Sequence, residues 1–265
     1  IKELINQIHL DKVKTLNDVI LITSQGRSGS TLVSRLVTSA GGFRNYHEPF
    51  NTSFVDEAES FYYGRYIHPS ESLEEESSVM SKILNGKVYN HWIGMATFSF
   101  YFSKRLIKAI RANLYAAWIK RNFPEIKLVV LLRNPFAVAE SWINVNFGTG
   151  ENLRSKILSQ PELIEKLPVQ VQDLLKQNLS LKEQLIYNWC VEYYMLFKDL
   201  NPSEYKLLVY ERLLEDSEKE MKELLGFINV PYHDKWKIVL NKPSMTTSKN
   251  SLARVEPGKL HEKWR

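Results

Sequence analysis

The sequence predicts an α/β fold with a central, mainly parallel sheet flanked by helices. Three short aliphatic runs, at residues 19–22, 127–132 and 206–210, are typical of buried parallel strands. Each run is followed by a segment suited to a helix, and this alternation of strand and helix favours a parallel sheet. The turn between the first strand and its helix is rich in glycine and serine. These observations define the fold class before any residue is assigned a role.

The helices are predicted from apolar spacing and from capping residues. Residues 30–39 place Leu32, Val33, Leu36 and Val37 on one face. After the second strand, Asn134 suits a cap and Pro135 suits the first helical position, where its missing N–H costs nothing. Three further helices are predicted from amphipathic or charged and leucine-rich patterns: residues 98–120, 181–200 and 213–227.

Two segments between these elements carry alternatives. Residues 149–168 are polar and end at a proline, so they form either a helical insertion or a lid. Residues 57–66 are rich in aromatic side chains, which we interpret first as packing and second as one wall of an acceptor pocket. No linker stands out, and residues 1–265 are predicted to form one domain.

Composition and charge exclude several classes of protein. Of the 265 residues, 44% are apolar and 25% charged, which is ordinary for a globular chain, and no apolar run approaches the about 18 residues of a membrane span. The net charge of +5 suits an anionic small ligand, while the dispersed Lys and Arg residues predict no nucleic-acid partner.

Cysteine usage indicates the compartment. Cys190 is the only cysteine, so the chain has no internal disulfide and no cysteine-based zinc site. Its apolar neighbours predict that it is buried. A cytoplasmic enzyme is the first expectation, and a lumenal enzyme that has lost an anchor is the alternative.

The most informative segment is residues 24–31, Ser-Gln-Gly-Arg-Ser-Gly-Ser-Thr. A strand that enters such a turn and continues as a helix directs backbone N–H groups and the positive end of the helix dipole at an anion. Gly26 and Gly29 allow the backbone to approach that anion closely. The segment therefore predicts a phosphate-binding loop.

This loop differs from that of a nucleoside triphosphatase. Ser30 stands where a Walker A loop has its lysine, and the cation is Arg27 instead. The second strand ends at Arg133, where a triphosphatase would carry an aspartate for Mg²⁺. An arginine there attracts a second anion, so we predict a metal-free site for an anionic nucleotide.

Two motifs together resemble sulfotransferases that use 3′-phosphoadenosine 5′-phosphosulfate (PAPS). Residues 25–32, Gln-Gly-Arg-Ser-Gly-Ser-Thr-Leu, resemble the loop for the 5′-phosphosulfate, although cytosolic members have Lys where Arg27 stands. Residues 131–141, Leu-Leu-Arg-Asn-Pro-Phe-Ala-Val-Ala-Glu-Ser, resemble the motif for the 3′-phosphate. Weaker likenesses, the first two to the trehalose-sulfotransferase-like branch, occur at residues 45–50, 85–92, 209–213, 226–231 and 251–254.

The resemblance implies a P-loop-like sulfotransferase fold, PAPS as co-substrate without a metal, and a small-molecule or carbohydrate acceptor. Homodimers are common in that branch, so a homodimer is one oligomeric state it implies. The donor-binding candidates are the loop residues, the 3′-phosphate pair and a C-terminal arginine: Gly26, Arg27, Ser28, Gly29, Ser30, Thr31, Arg133, Ser141 and Arg254.

The catalytic candidates follow from what sulfuryl transfer requires, namely charge stabilisation and a base for the acceptor hydroxyl. Arg27 is expected to stabilise charge on the moving group. Glu48 is the candidate base, and the adjacent His47 is a weaker rival. Lys87 and His91 are candidates for contact with the leaving phosphate or the acceptor. Tyr210 and Glu211 are interpreted as structural.

Two other classes of function stay open at this point. A small-molecule kinase using ATP and Mg²⁺ fits the fold class, although the absent loop lysine and Arg133 count against it. A non-catalytic nucleotide-binding module on the same scaffold is the other alternative. The presence together of Arg27, Glu48, Arg133 and Ser141 counts against that module.

Overall fold

A computed structural model describes residues 10–97, 101–145 and 153–240. Its centre is a five-stranded parallel sheet of β1 (Val19–Thr23), β2 (Phe43–His47), β3 (Lys104–Ala109), β4 (Lys127–Leu132) and β5 (Tyr205–Val209). These strands lie side by side in the order β2-β3-β1-β4-β5. The α/β class and the three predicted strands are confirmed. A separate two-residue parallel pair joins Leu10–Asp11 to Tyr101–Phe102.

Helices cover both faces of this sheet. They are α1 (Ser30–Thr38), α2 (Glu74–Leu84), α3 (His91–Gly94), α4 (Ala116–Asn122), α5 (Pro135–Asn144), α6 (Leu153–Leu158), α7 (Pro161–Glu165), α8 (Val169–Leu175), α9 (Leu181–Asp199), α10 (Tyr210–Glu215), α11 (Ser217–Phe227) and α12 (Lys235–Leu240). Single turns of 3₁₀ helix occur at Leu16–Asp18, Asn113–Tyr115 and Pro202–Glu204, and a longer one at Asp56–Phe61.

Local chemistry explains where the predicted helices begin. The Asn134 side chain accepts hydrogen bonds from the backbone N–H groups of Phe136 and Ala137, at 2.9 and 3.3 Å, and so caps α5. A capping box between Ser180 and Glu183 starts α9. The helical interpretation of residues 149–168 is confirmed within the described part of that segment, which contains α6 and α7.

Two predictions of secondary structure are wrong. Residues 101–120 of the predicted helix at 98–120 instead form β3 and a short α4. The reason is tertiary: β3 lies between β1 and β2 and pairs with both, which overrides a helical pattern. The predicted helix at residues 213–227 is two helices, because Asp216 has φ −133° and its side chain caps α11 through the Lys219 N–H at 3.2 Å.

The core forms two layers, one on each face of the sheet. Because side chains alternate across a strand, Ile20 and Ile22 of β1 pack among the residues of α1 and α11. Leu21 of the same strand packs on the opposite face with residues of α2, α4 and α9. The central strands are therefore apolar on both faces, as the aliphatic runs predict.

Side-chain exposure decides two further predictions. The packing interpretation of residues 57–66 is confirmed for Phe61, Tyr63 and Tyr66, which are buried, whereas Tyr62 is exposed. The prediction for Cys190 is wrong, because its side chain lies on the solvent face of α9. Among the residues that the structure describes, no helix has the length and apolarity needed to cross a membrane.

Parallel strands all end at the same edge of the sheet, and this places the site. The segments after β1, β2, β3 and β4 therefore meet at the carboxyl edge. Ligands of open α/β sheets bind at this edge, where the strand order reverses. In this chain β1 lies between β3 and β4, so the loop after β1 faces residues from both neighbours.

Candidate active site

The loop between β1 and α1 has a strained backbone conformation. Arg27 has φ 70° and Gly29 has φ 92°, both in the left-handed region. Gly29 precedes α1, and its carbonyl accepts hydrogen bonds from Leu32 N and Val33 N, at 2.9 and 3.1 Å. The N–H groups of Ser30 and Thr31 precede these bonds, and N–H groups at the start of a helix favour an anionic ligand.

Gly29 is constrained by a tyrosine as well as by its conformation. A Cβ atom at position 29 would lie 2.3 Å from Cε2 of Tyr210, far inside van der Waals contact. The same ring lies 4.7 Å from the guanidinium of Arg133. Tyr210 therefore packs directly beneath the loop, in agreement with the structural role assigned to it.

Two arginines converge beside this loop. Arg27 Nε donates a hydrogen bond to Ser141 Oγ at 3.0 Å, and Arg133 Nη1 donates to the Arg27 carbonyl at 2.7 Å. Trp142 Nε1 donates to the Gly26 carbonyl at 2.9 Å. The structure thus brings both predicted phosphate-binding groups together, with Arg133 buried at the end of β4 and Ser141 on α5.

Glu48 lies at the end of β2, on the opposite side of the loop from Arg133 in the strand order. Its φ of 45° is strained for a residue other than glycine, and its side chain is buried. Glu48 Oε1 lies 2.7 Å from Lys108 Nζ, and Oε2 lies 3.1 Å from Arg111 Nη1. Burial raises the pKa of Glu48, but the charges of Lys108 and Arg111 outweigh it and hold the pKa below its ordinary value.

Lys108 links this carboxylate to the phosphate loop. Its Nζ also donates to Thr31 Oγ1, at 3.3 Å, so one buried ammonium contacts the first turn of α1 and the candidate base together. Burial lowers the pKa of Lys108, while the adjacent carboxylate of Glu48 opposes that shift. The candidate phosphate loop and the candidate base are therefore linked through one buried ammonium.

His47 is the rival base in the sequence analysis. Its Nε2 lies 3.8 Å from Glu48 Oε1, and its ring lies edge-on to Trp92 with centroids 4.9 Å apart. Burial, and then the nearby charge of Lys108, lower the pKa of His47 to about 4. The imidazole is therefore neutral at pH 7 and does not add to the charge of the site.

The structure treats the remaining predicted residues differently. Ser28 and Ser30 are buried within the loop. Lys87 and His91 are exposed, and among the described residues neither is recorded in a side-chain hydrogen bond or ion pair with the cluster. Arg254 lies outside the described residues.

The sequence analysis missed Lys108 and Arg111. The predicted helix at residues 98–120 included both residues, whereas Lys108 is the penultimate residue of β3 and Arg111 lies two residues beyond that strand. A signal was present, since Lys108 interrupts a short apolar run between Ile107 and Ala109. Trp92 was also missed; its Nε1 donates to the Glu48 carbonyl at 3.3 Å and helps to fix that backbone.

In the described ranges, no group of three His, Cys, Asp or Glu side chains is placed to hold a metal ion.

A parallel sheet with a cationic, glycine-containing loop at its carboxyl edge is the arrangement of α/β proteins that bind anionic ligands at that edge. The chain belongs to the sulfotransferase family, because the model of that family matches residues 19–234. The family predicted from the sequence is confirmed. Among curated proteins, no sequence matches the chain.

Several solved sulfotransferase structures are similar to the chain at low sequence identity. The sulfotransferase domain from the curacin biosynthetic pathway has 17% identity and a TM-score of 0.49, over 89% of this chain and 82% of that one. Mouse sulfotransferase SULT7A1, complexed with PAP, has 14% identity and a TM-score of 0.47, over 90% and 67%. A sulfotransferase from Alicyclobacillus acidocaldarius has 11% identity and a TM-score of 0.46, over 82% and 84%. The family match, and not these likenesses, carries the assignment.

We predict that Gly29→Ala lowers the free energy of unfolding by two effects. One is the strain of a left-handed backbone at alanine, and the other, about 1–3 kcal/mol, is the overlap of the new Cβ with the Tyr210 ring. Gly41→Ala is the matched control: it has φ +84° and nothing within 4 Å of its Cβ position. That control should cost only the about 1–2 kcal/mol of left-handed strain. Urea unfolding measures both variants, and equal losses would show that Tyr210 does not restrict the loop.

Proposed function

We propose that this protein transfers a sulfuryl group from PAPS to a hydroxyl or amine of a small-molecule or carbohydrate acceptor. The observation that carries the proposal is the placement of two arginines and a buried carboxylate around one phosphate loop. Arg27 and Arg133 lie on one side of that loop, and Glu48 with Lys108 on the other. An anionic donor and a proton acceptor for its reaction partner thereby meet at one edge of the sheet.

The donor fits the cationic side of the site. In this proposal the N–H groups at the start of α1, with Arg27, bind the 5′-phosphosulfate, since a helix N-terminus and a guanidinium both favour an oxyanion. Arg133 and Ser141 bind the 3′-phosphate. The hydrogen bond between Arg27 and Ser141 ties the two anion sites to each other.

The transfer itself needs an acceptor oxygen or nitrogen in line with the leaving phosphate oxygen. The acceptor attacks sulfur, a new bond to sulfur forms, and the bond between sulfur and the bridging phosphate oxygen breaks. Glu48 takes the acceptor proton. The leaving group, 3′-phosphoadenosine 5′-phosphate (PAP), departs with the bonding electron pair. Arg27 and the loop N–H groups stabilise the charge that develops on the leaving oxygen.

Lys108 connects donor binding to the strength of the base. Its ammonium contacts both Glu48 and Thr31. An anionic sulfonate in the loop attracts the same ammonium and weakens its hold on Glu48, which increases the carboxylate's affinity for a proton. The base is therefore strongest when the sulfuryl group is in place.

We expect PAP to bind in the micromolar range without added metal, because both of its phosphate groups are matched by arginines. Calorimetric titration with and without a chelator measures this. Binding that the chelator abolishes would contradict the metal-free site and favour a Mg²⁺-dependent kinase.

Mass spectrometry of a metabolite pool treated with enzyme and PAPS identifies the acceptor by its gain of a sulfonate.

The two arginines are expected to act on different kinetic constants. Arg133→Ala should raise KM for PAPS by about 10- to 100-fold, since a charge-assisted hydrogen bond is worth about 1.5–3 kcal/mol and the 3′-phosphate does not react. Arg27→Ala should lower kcat as well. Arg121→Ala, at an exposed position of α4, is the control for net charge. If both site variants changed KM alone, the role given to Arg27 would be wrong.

Glu48→Gln is expected to keep PAP affinity and to lose transfer. The amide preserves the shape of the side chain but takes no proton, and losing a positioned base lowers the rate by about 10²–10⁴-fold. Single-turnover transfer at saturating PAPS is the measurement, with circular dichroism to confirm folding. His47→Ala is the matched variant: a slow His47→Ala beside a Glu48→Gln close to wild type would make His47 the base.

A further inference from the structure

A second carboxylate lies buried behind the phosphate loop. Glu192 of α9 is almost completely buried and accepts three hydrogen bonds. Gln25 Nε2 and Tyr63 Oη donate to its Oε1, at 3.4 and 3.1 Å, and Asn113 Nδ2 donates to its Oε2 at 2.9 Å. Gln25 is the residue immediately before Gly26, so this carboxylate fixes the side chain of the residue that leads into the glycine-containing turn.

The hydrogen-bond network around Glu192 also extends to the end of β1 and to a neighbour of Glu48. Asn113 Oδ1 accepts a hydrogen bond of 2.6 Å from Thr23 Oγ1, at the end of β1. The Tyr63 ring lies 5.8 Å from the guanidinium of Arg111, which pairs with Glu48. Glu192 therefore joins the strand end, the loop and a neighbour of the candidate base.

Neutral donors surround Glu192. The titratable side chains that face it are the phenols of Tyr63, Tyr115 and Tyr193, and the described residues provide it with no ion pair. A buried charge without a counter-ion is costly, whereas three hydrogen bonds favour the ionised form. Burial prevails and raises the pKa of Glu192 to about 7. Both protonation states are therefore accessible near neutral pH.

We propose that Glu192 is a positioning residue of the phosphate loop that takes up a proton when the donor nucleotide binds. A phosphate group held by residues 26–31 brings negative charge to the loop that Glu192 supports. Repulsion through the protein interior is weakly screened, so donor binding favours the neutral acid. This inference rests on the proposed function, because it takes PAP as the ligand of the loop.

Calorimetric titration of PAP in buffers of different ionisation enthalpy measures the protons taken up. At about pH 8 the phosphate groups of PAP are fully ionised, since the second pKa of a phosphate monoester is about 6. His47, with a pKa of about 4, is neutral there. We expect wild type to take up a fraction of a proton per site. Glu192→Gln should bind PAP and take up none, because its amide mimics the protonated acid.

Tyr63→Phe gives an independent measure of the same coupling. The variant removes one hydrogen bond to the ionised carboxylate, so the pH midpoint of proton uptake should move to higher pH. A purely structural Glu192 would leave that midpoint unchanged, and this readout holds if Glu192→Gln does not fold. Proton uptake that persists in Glu192→Gln, or an unmoved midpoint in Tyr63→Phe, would overturn the inference. Absence of PAP binding to wild type would instead overturn the proposed function.

Discussion

The cost of burying charge at the carboxyl edge of the sheet is the constraint on which this site depends. Lys108, Glu48 and Arg133 are all buried there, and an unpaired charge in such a place costs several kcal/mol. Each one has a partner on a different element: Lys108 with Glu48, and Arg133 with the Arg27 carbonyl and the Tyr210 ring. The contacts that satisfy these charges therefore also fix the relative positions of four strand ends.

The same constraint accounts for the strained residues. Among the described residues other than glycine, positive φ values occur only at Arg27, Glu48 and Asn229. Two of the three are charged residues of the site, where left-handed backbone directs a carbonyl or a carboxylate to its cationic partner. Strain of this kind persists only where surrounding contacts outweigh it. The Trp92 hydrogen bond to the Glu48 carbonyl and the Trp142 hydrogen bond to the Gly26 carbonyl are such contacts.

The sequence alone was sufficient to predict the phosphate loop and Arg133, but not the cations beside Glu48. The loop at residues 24–31 and the Arg133 motif could be predicted because glycine, capping and strand-end signals are local. β3 could not, because its pairing with β1 and β2 is a long-range interaction and its pattern also suits a helix. Missing that strand hid Lys108 and Arg111, so the candidate base was predicted without the cations that pair with it. Glu192 was missed for the same kind of reason: its partners come from three distant segments.

The two buried carboxylates show how neighbours assign different tasks to the same chemical group. Both are buried, and burial alone raises the pKa of each. Glu48 faces Lys108 and Arg111, which reverse the shift and keep it ionised at neutral pH. Glu192 faces amides and phenols, whose hydrogen bonds do not reverse it, and its pKa stays near 7. Environments that separate the pKa values of two acids separate their roles. The acid that faces cations suits proton transfer, and the one that faces neutral donors suits a response to charge in the loop.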